Sequence, residues 1–263
     1  MKWIFLPLML FAAGASAWMC PDCGRENSGT FCEACHLPEP PEGMIFVPET
    51  QVDIDGVTVE VHRFFIDRSP VTCRDFIPWL NSEGFTIDDL GVVITGSGGD
   101  AMEFLAFTPF IGDQSGGITV PSQCLENPVT SITWNGAQSF LADKGKRLPT
   151  LAELTAAAEA GLIEQYDSYE IMLSFADQMR FTMGEMLGVL GSQAMFAGYS
   201  TANERVTWEL TSTVNGGDPA RPAPALHEDY VNIYKPLDEA IVSTINRNNG
   251  YFNVIFRGAI RVP

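Results

Sequence analysis

Four cysteines lie close together near the start of the chain, in the stretch "CPDCGRENSGTFCEAC". They form two C-x-x-C pairs with eight residues between the pairs: Cys20, Cys23, Cys32 and Cys35. Each pair can present two thiolates to one ion. Two such pairs make the tetrahedral four-sulfur site in which proteins hold structural zinc.

The same stretch resembles the small zinc ribbons whose pattern is CPxCGxxN…FCxxCG. Gly24, Asn27 and Phe31 match that pattern, and His36 replaces its final glycine. We therefore predict a zinc-ribbon-like module over residues 18–36, with zinc as its structural cofactor.

Disulfide bonds are the alternative use of these four cysteines. Oxidising compartments favour disulfides, and four cysteines allow three pairings. A module this short has too few apolar residues to fold without a metal or a cross-link. The remaining cysteines, Cys73 and Cys124, are far apart in sequence, so they either pair with each other or are buried as small apolar side chains.

The first residues, "MKWIFLPLMLFAAGASA", have the pattern of a secretory signal peptide over residues 1–17. Lys2 supplies the positive charge, an apolar run follows, and Ala17 closes an A-x-A cleavage site. We expect an exported protein, periplasmic or secreted. The apolar run is shorter than the roughly 20 residues of a membrane span, and no transmembrane segment is predicted. Lipidation at Cys20 is the alternative, which Trp18 and Met19 disfavour because small residues should precede a lipidated cysteine.

The composition excludes several classes of protein. Hydrophobic residues make up 46% of the chain and aromatic residues 11%, which indicates a folded protein with a substantial core. The formal charge of −18 repels phosphate backbones, so no nucleic acid partner is expected. The sequence contains neither a phosphate-binding loop nor a G-x-S-x-G or H-E-x-x-H motif.

The four cysteines need a fold to position them. The sequence that follows their module predicts an α+β domain. A Pro- and Glu-rich linker over residues 37–43 precedes a main domain over residues 44–263. Short runs of β-branched and aromatic residues predict strands near both ends of that domain. Thr72 is a predicted helix N-cap, and Thr150 with Glu153 forms a predicted capping box.

Five stretches in this order resemble the formylglycine-generating enzyme (sulfatase-modifying factor) family over residues 43–262. They are "GMIFVP", "FFIDRSPVT", "NPVTSITWNGAQSFLADKGKRLPTLAEL", "VTWELT" and "FRGAIRV". The resemblance implies an irregular, loop-rich, modified C-type lectin fold with its site near the C-terminal strand. Some members oxidise a sulfatase cysteine with copper held by two cysteines, and others form carbon–sulfur bonds with iron. Further members only bind ligands, including the variable proteins of diversity-generating retroelements.

The sequence departs from the catalytic members of that family. No cysteine follows Cys124, so the paired thiolates that hold copper are missing and copper is not expected. The three histidines do not have metal-type spacing; they are His36, His62 and His227. "RVTWEL" stands where the family has "GNVWEW", and members bind calcium nearby. Glu209 could therefore bind calcium, or it could belong to a structural hydrogen-bond network.

The chain closes with "INRNNGYFNVIFRGAIRVP", which lies where relatives keep catalytic cysteines or variable contact residues. Asparagine amides can donate and accept, and aromatic rings offer contact area at low entropic cost. The candidate ligand-binding residues are Asn246, Arg247, Asn248, Asn249, Tyr251 and Asn253. Arg247 and Arg257 would favour an acidic or polar ligand. The alternative is a structural turn followed by a core strand, with Phe256 and Arg257 serving the fold.

The function predicted from these observations is non-catalytic binding of an unknown protein or a small polar or acidic ligand. One alternative is a metal-dependent oxidoreductase of the same family with a rebuilt active site. Another is an interaction component in which the four-cysteine module docks a partner.

Overall fold

The computed structural model describes residues 17–87, 93–95, 111–112, 117–130, 132–164, 207–214, 218–220, 230–235, 241–246 and 254–262. The strands are β1 (Trp18–Met19), β2 (Glu26–Asn27), β3 (Met44–Val47), β4 (Thr50–Ile54), β5 (Val57–Val61), β6 (Phe64–Asp67), β7 (Phe85–Ile87), β8 (Val93–Thr95), β9 (Ile111–Gly112), β10 (Ile118–Thr119), β11 (Trp208–Val214), β12 (Tyr230–Lys235), β13 (Ile241–Asn246), β14 (Val254–Ile255) and β15 (Ala259–Arg261). The helices are α1 (Cys73–Ser82), α2 (Trp134–Asp143) and α3 (Leu151–Glu159), with a 3₁₀ turn at Ser122–Cys124. The predicted signal peptide lies outside the described residues except for Ala17.

The two largest sheets of the described main domain have three and four strands, and three two-stranded sheets accompany them: β4-β5, β7-β8 and β10-β9. A three-stranded antiparallel sheet has the order β15-β6-β3, and a four-stranded sheet has the order β13-β12-β11-β14. In the second sheet β14 runs parallel to β11, while the other neighbours are antiparallel. The described residues form both sheets and helices, which confirms the predicted α+β class.

The helices begin where the capping residues predict. The Thr72 hydroxyl accepts from the Asp75 amide at 3.4 Å, and Pro78 is accommodated inside α1. At α3 the capping box is complete: the Thr150 hydroxyl accepts from the Glu153 amide at 3.2 Å, and the Glu153 carboxylate accepts from the Thr150 amide at 2.8 Å. These bonds satisfy amide groups that a helix start leaves without partners.

Aromatic rings join α1, α2 and the C-terminal segment in one core. The ring of Phe140 lies 5.1 Å from that of Phe76 and 6.0 Å from that of Phe256, measured between centroids. The indole N–H of Trp134 donates to the Thr211 carbonyl at 2.8 Å, which ties α2 to β11. Phe256 is fully buried, which agrees with the alternative prediction that this residue serves the fold.

The closing segment is not one continuous strand. β14 pairs with β11 in the four-stranded sheet, whereas β15 pairs with β6 in the three-stranded sheet. Residues 256–258 therefore cross from one sheet to the other. A Cβ at Gly258 would lie 2.7 Å from both Asp67 Oδ2 and Lys146 Cδ, so only glycine fits this crossing without a shift. The Gly258 amide donates to Asp67 Oδ2 at 2.9 Å, and Lys146 donates to Asp67 Oδ1 at 2.7 Å.

The three-stranded sheet is covered on both faces. Phe64 and Ile66 of β6 pack with α3 residues on one face. Phe65, between them in sequence, points to the other face and packs with Met44, Phe46 and the four-cysteine module. No helix among the described residues is long and apolar enough to cross a membrane.

Candidate functional site

The four cysteine sulfurs converge on one point. All four Sγ atoms lie within 4.8 Å of one another, and the set is Cys20, Cys23, Cys32 and Cys35. The Sγ–Sγ distance is 3.4 Å from Cys20 to Cys35 and 3.5 Å from Cys23 to Cys32. A tetrahedron with metal–sulfur bonds of about 2.3 Å has sulfur–sulfur edges of about 3.8 Å, so the cluster fits one metal ion of zinc size.

Two similar turns present the cysteine pairs. The Gly24 amide donates to the Cys20 carbonyl at 2.9 Å, and the His36 amide donates to the Cys32 carbonyl at 2.8 Å. Both closing residues are left-handed, with φ of 71° at Gly24 and 57° at His36. His36 therefore takes the backbone conformation of the glycine that it replaces, at an energetic cost that glycine avoids.

The surroundings of the sulfurs shift their pKa values in opposite directions. Burial raises the pKa of Cys32, but the amides of Cys35 and Ala34 donate to its sulfur and lower that pKa to about 6 overall. At Cys35 the Leu37 amide lowers the pKa, yet burial and the neighbouring thiols raise it to about 12. A cation would displace the remaining protons, because thiolates are the metal-binding form.

The module packs onto the main domain as part of a shared core. Cys20, Cys32 and Leu37 are buried in one cluster with Phe46 and Phe65, and Met44 and Val262 complete it. Polar contacts reinforce the packing: Arg63 Nη1 donates to the Cys35 carbonyl at 3.3 Å and lies 3.9 Å from Asp22 Oδ2. Leu37 was predicted to begin the linker over residues 37–43, and its burial in this core corrects that prediction.

Most of the predicted C-terminal contact residues lie outside the described part of the chain. Asn246 is the last residue of β13 and pairs with Tyr230. Arg247, Asn248, Asn249, Tyr251 and Asn253 lie between β13 and β14, beyond the described ranges. β13 and β14 are the two edges of the four-stranded sheet. Ligand contact by this segment stays a prediction.

Two buried polar groups lie beside the point where the described chain resumes after this segment. Trp208 pairs with Val254, the first described residue after the gap. The indole N–H of Trp208 and the hydroxyl of its neighbour Thr207 are buried and have no hydrogen-bond partner among the described residues. Such groups are rare in protein interiors and indicate a missing partner.

Arg257 is not available to a ligand. Its side chain is fully buried, and all five N–H groups donate within the protein. Nε and Nη2 donate to the two Glu209 carboxylate oxygens at 2.6 and 2.7 Å. Nη1 donates to the carbonyls of Asp67 and Arg68, and Nη2 also donates to that of Glu164. The expectation that Arg257 favours an acidic ligand is therefore wrong.

The same contacts define the role of Glu209. Both of its carboxylate oxygens accept from Arg257, and the side chain is buried. The structure thus supports the hydrogen-bond network that the sequence analysis gave as the alternative to a calcium ligand.

Neither of the two described histidines belongs to the four-cysteine cluster. His36 and His62 are exposed, and His227 lies outside the described residues.

His62 lines a cleft of about 410 Å³ together with Arg63 and Arg261. A second cleft of about 690 Å³ lies between α1 and α2, with Phe140 and Lys144 in its wall. Among described residues, the four cysteines are the group that could hold a metal ion.

The sequence matches the model of one protein family. The family described as "Sulfatase-modifying factor enzyme 1-like domain" matches residues 36–215, which is more than half of the chain.

Two curated relatives match a shorter stretch. The serine/threonine-protein kinase pkn1 of Chlamydia pneumoniae is 32% identical over 105 residues, 40% of this chain and 15% of the relative. The protein of the same name from Chlamydia caviae is 30% identical over 105 residues, with the same shares. The matched stretch thus spans about 15% of the length of these relatives.

Solved structures show a weaker likeness. The crystal structure of CarF aligns with a TM-score of 0.43 at 14% identity, covering 85% of this chain and 99% of that chain. The structure of PvdO from Pseudomonas aeruginosa aligns with a TM-score of 0.42 at 14% identity, covering 95% of this chain and 99% of that chain.

Proposed function

Since the chain belongs to the family of sulfatase-modifying factor enzyme 1-like domains, we propose that it is an exported member that binds a ligand or protein without catalysis. The contact segment is residues 246–253, and the four-cysteine module holds a structural zinc ion. Export rests on the signal-peptide pattern of residues 1–17.

The proposal that the protein binds without catalysis rests on where its thiols lie. The last cysteine of the sequence is Cys124, and it is buried in the core that contains α1 and α2. The thiols near the surface belong to the four-cysteine module. The C-terminal segment therefore offers asparagine, arginine and tyrosine, none of which replaces thiolates as ligands of a soft copper ion.

Two features support a contact role for residues 246–253. Asparagine and tyrosine give adaptable hydrogen bonding and rigid contact area, as in the binding loops of antibodies. Trp208 at the start of β11 pairs with Val254 beside the end of this segment, and its indole N–H and the hydroxyl of the preceding Thr207 have no partner among the described residues. A bound polar ligand would supply the acceptor and donor that these two groups lack.

Zinc in the module is favoured by the sulfur geometry over hard cations. Four thiolates at one point match zinc, whereas magnesium and calcium take oxygen ligands. Zinc would act here as a cross-link that lets a small module keep its fold.

Metal analysis of the purified protein tests the catalytic alternative. We expect one zinc per chain, lost in a variant with Cys23→Ser and Cys32→Ser, and no stoichiometric copper or iron. Copper or iron that remains in that variant, together with oxidation of a cysteine-containing peptide, would overturn the non-catalytic proposal.

Binding is tested with a panel of neutral and acidic oligosaccharides and acidic peptides, using calorimetry. The variant Asn248→Ala/Tyr251→Ala should lose at least about tenfold in affinity for any probe that the parent protein binds. Glu60→Ala, at an exposed position of β5, is the matched control. Equal affinity of both variants and the parent protein would assign the binding to another surface.

A further inference from the structure

Two cysteines outside the four-sulfur cluster lie in the same core of the main domain, and both are free thiols in this structure. Cys73 is the first residue of α1, and Cys124 is the last residue of the 3₁₀ turn. Both are 1% exposed and belong to the same apolar cluster. They are 51 positions apart in the sequence, so only the fold brings them together.

Backbone hydrogen bonds hold the two cysteine-bearing segments side by side. The Cys73 amide donates to the Asn127 carbonyl at 3.0 Å, and the Arg74 amide donates to the Leu125 carbonyl at 2.8 Å. The Asn127 amide in turn donates to the Cys124 carbonyl at 3.1 Å, which folds Cys124 back against this ladder. The backbone segments that carry the two cysteines therefore lie side by side, and both side chains enter one core.

The interior keeps both thiols protonated once the protein has folded. Burial raises the pKa of Cys73 to about 12, and the nearby Cys124 adds to this effect. Burial also raises the pKa of Cys124. Since the thiolate is the reactive form, these thiols react readily only while the core is still open.

We propose that Cys73 and Cys124 form a disulfide bond while the exported chain folds. The six cysteines then divide into four metal ligands and two that close a covalent loop. Two thiols lose two protons and two electrons as the sulfur–sulfur bond forms, and the disulfide of an oxidant protein or small molecule accepts the electrons and becomes two thiols. The inference rests on the proposed export, because oxidising compartments maintain such bonds.

The bond would join the start of α1 to the segment that its first two amides already contact. It would close a loop of about 50 residues, and closing a loop of that size restricts the unfolded chain. Reduction should therefore lower the melting temperature of the main domain.

Mass spectrometry of the exported protein tests the bond. The protein is denatured in chelator and iodoacetamide without reductant and then digested. We expect a linked peptide pair containing Cys73 and Cys124, and alkylation of the four module cysteines. Alkylation of Cys73 and Cys124 in this sample overturns the bond in the exported protein.

An oxidative refolding experiment separates this inference from the proposed export and ligand binding. Reduced, denatured protein refolded with oxidised glutathione and zinc should gain the linkage, whereas folded reduced protein should resist the same reagent. The variant Cys73→Ala/Cys124→Ala should melt at the same temperature with and without reductant, unlike the parent protein. Absence of the linked pair after refolding would overturn the inference whatever the location or ligand of the protein.

Discussion

Arg257 and Glu209 form a completely buried, two-bonded ion pair that joins the sheet crossing at residues 256–258 to β11. The Arg257 Nε–Glu209 Oε2 distance is 2.6 Å, and the Arg257 Nη2–Glu209 Oε1 distance is 2.7 Å. The remaining N–H groups of Arg257 donate to backbone carbonyls of residues 67, 68 and 164. A single side chain thus satisfies five acceptors from three separate parts of the chain.

Removing the arginine alone should destabilise the protein strongly. Arg257→Met leaves the Glu209 carboxylate buried without its arginine donors and removes one or more hydrogen bonds to three backbone carbonyls, and we expect a loss of about 3–5 kcal/mol in the free energy of unfolding. Urea denaturation measures this loss. The double variant Arg257→Met/Glu209→Leu should be less destabilised than Arg257→Met, because no unpaired charge remains. Equal stability of Arg257→Met and the parent protein would contradict the buried pair.

Leu37 should behave as a core residue although it is the first residue of the predicted linker. It is 0% exposed and packs between the four-cysteine module and the sheet. Leu37→Ala should cost about 2–5 kcal/mol in unfolding free energy and increase the binding of a hydrophobic dye. Val57→Ala is the control, since Val57 is 60% exposed and its change should cost less than about 0.5 kcal/mol. Similar losses in both variants would argue against docking of the module.

The left-handed backbone of His36 predicts a stabilising substitution. With φ at 57°, His36→Gly should relieve a cost of roughly 1 kcal/mol and slow metal release to a chelator. Glu33→Gly, in the same turn, serves as the control and should not slow release. A faster release from His36→Gly would show that the histidine side chain contributes more than its backbone costs.

Metal affinity should fall as the pH falls. The pKa values of Cys23 and Cys35 are raised, so both thiols carry protons at neutral pH that a bound cation must displace. Displacement of at least two protons lowers the apparent affinity by at least about 100-fold for each pH unit lost, and the dependence should persist until the pH exceeds the raised values. Competition with a chromogenic chelator between pH 6 and 8 measures the slope. A pH-independent affinity would contradict thiolate ligation.

The sequence patterns predicted the local features well, because short-range geometry determines them. Thr150 and Glu153 are three residues apart, which is the spacing of a capping box, and the structure contains that box. The two C-x-x-C turns likewise form from neighbouring residues and bring four sulfurs together. The core strand that was the alternative for the closing segment is divided into β14 and β15, because residues 256–258 change sheets, and only the positions of β6 and β11 reveal that change.

By itself, the sequence determined the α+β class, the family resemblance and the four-cysteine cluster, because each depends on residue types at short or ordered spacing. Tertiary structure decided which polar residues are available to a partner. Arg257 has the same side chain as an exposed arginine, yet its burial against Glu209 makes it part of the core. Leu37 and the pair Cys73 and Cys124 are also assigned by burial, since packing between distant segments has no signature in the local sequence.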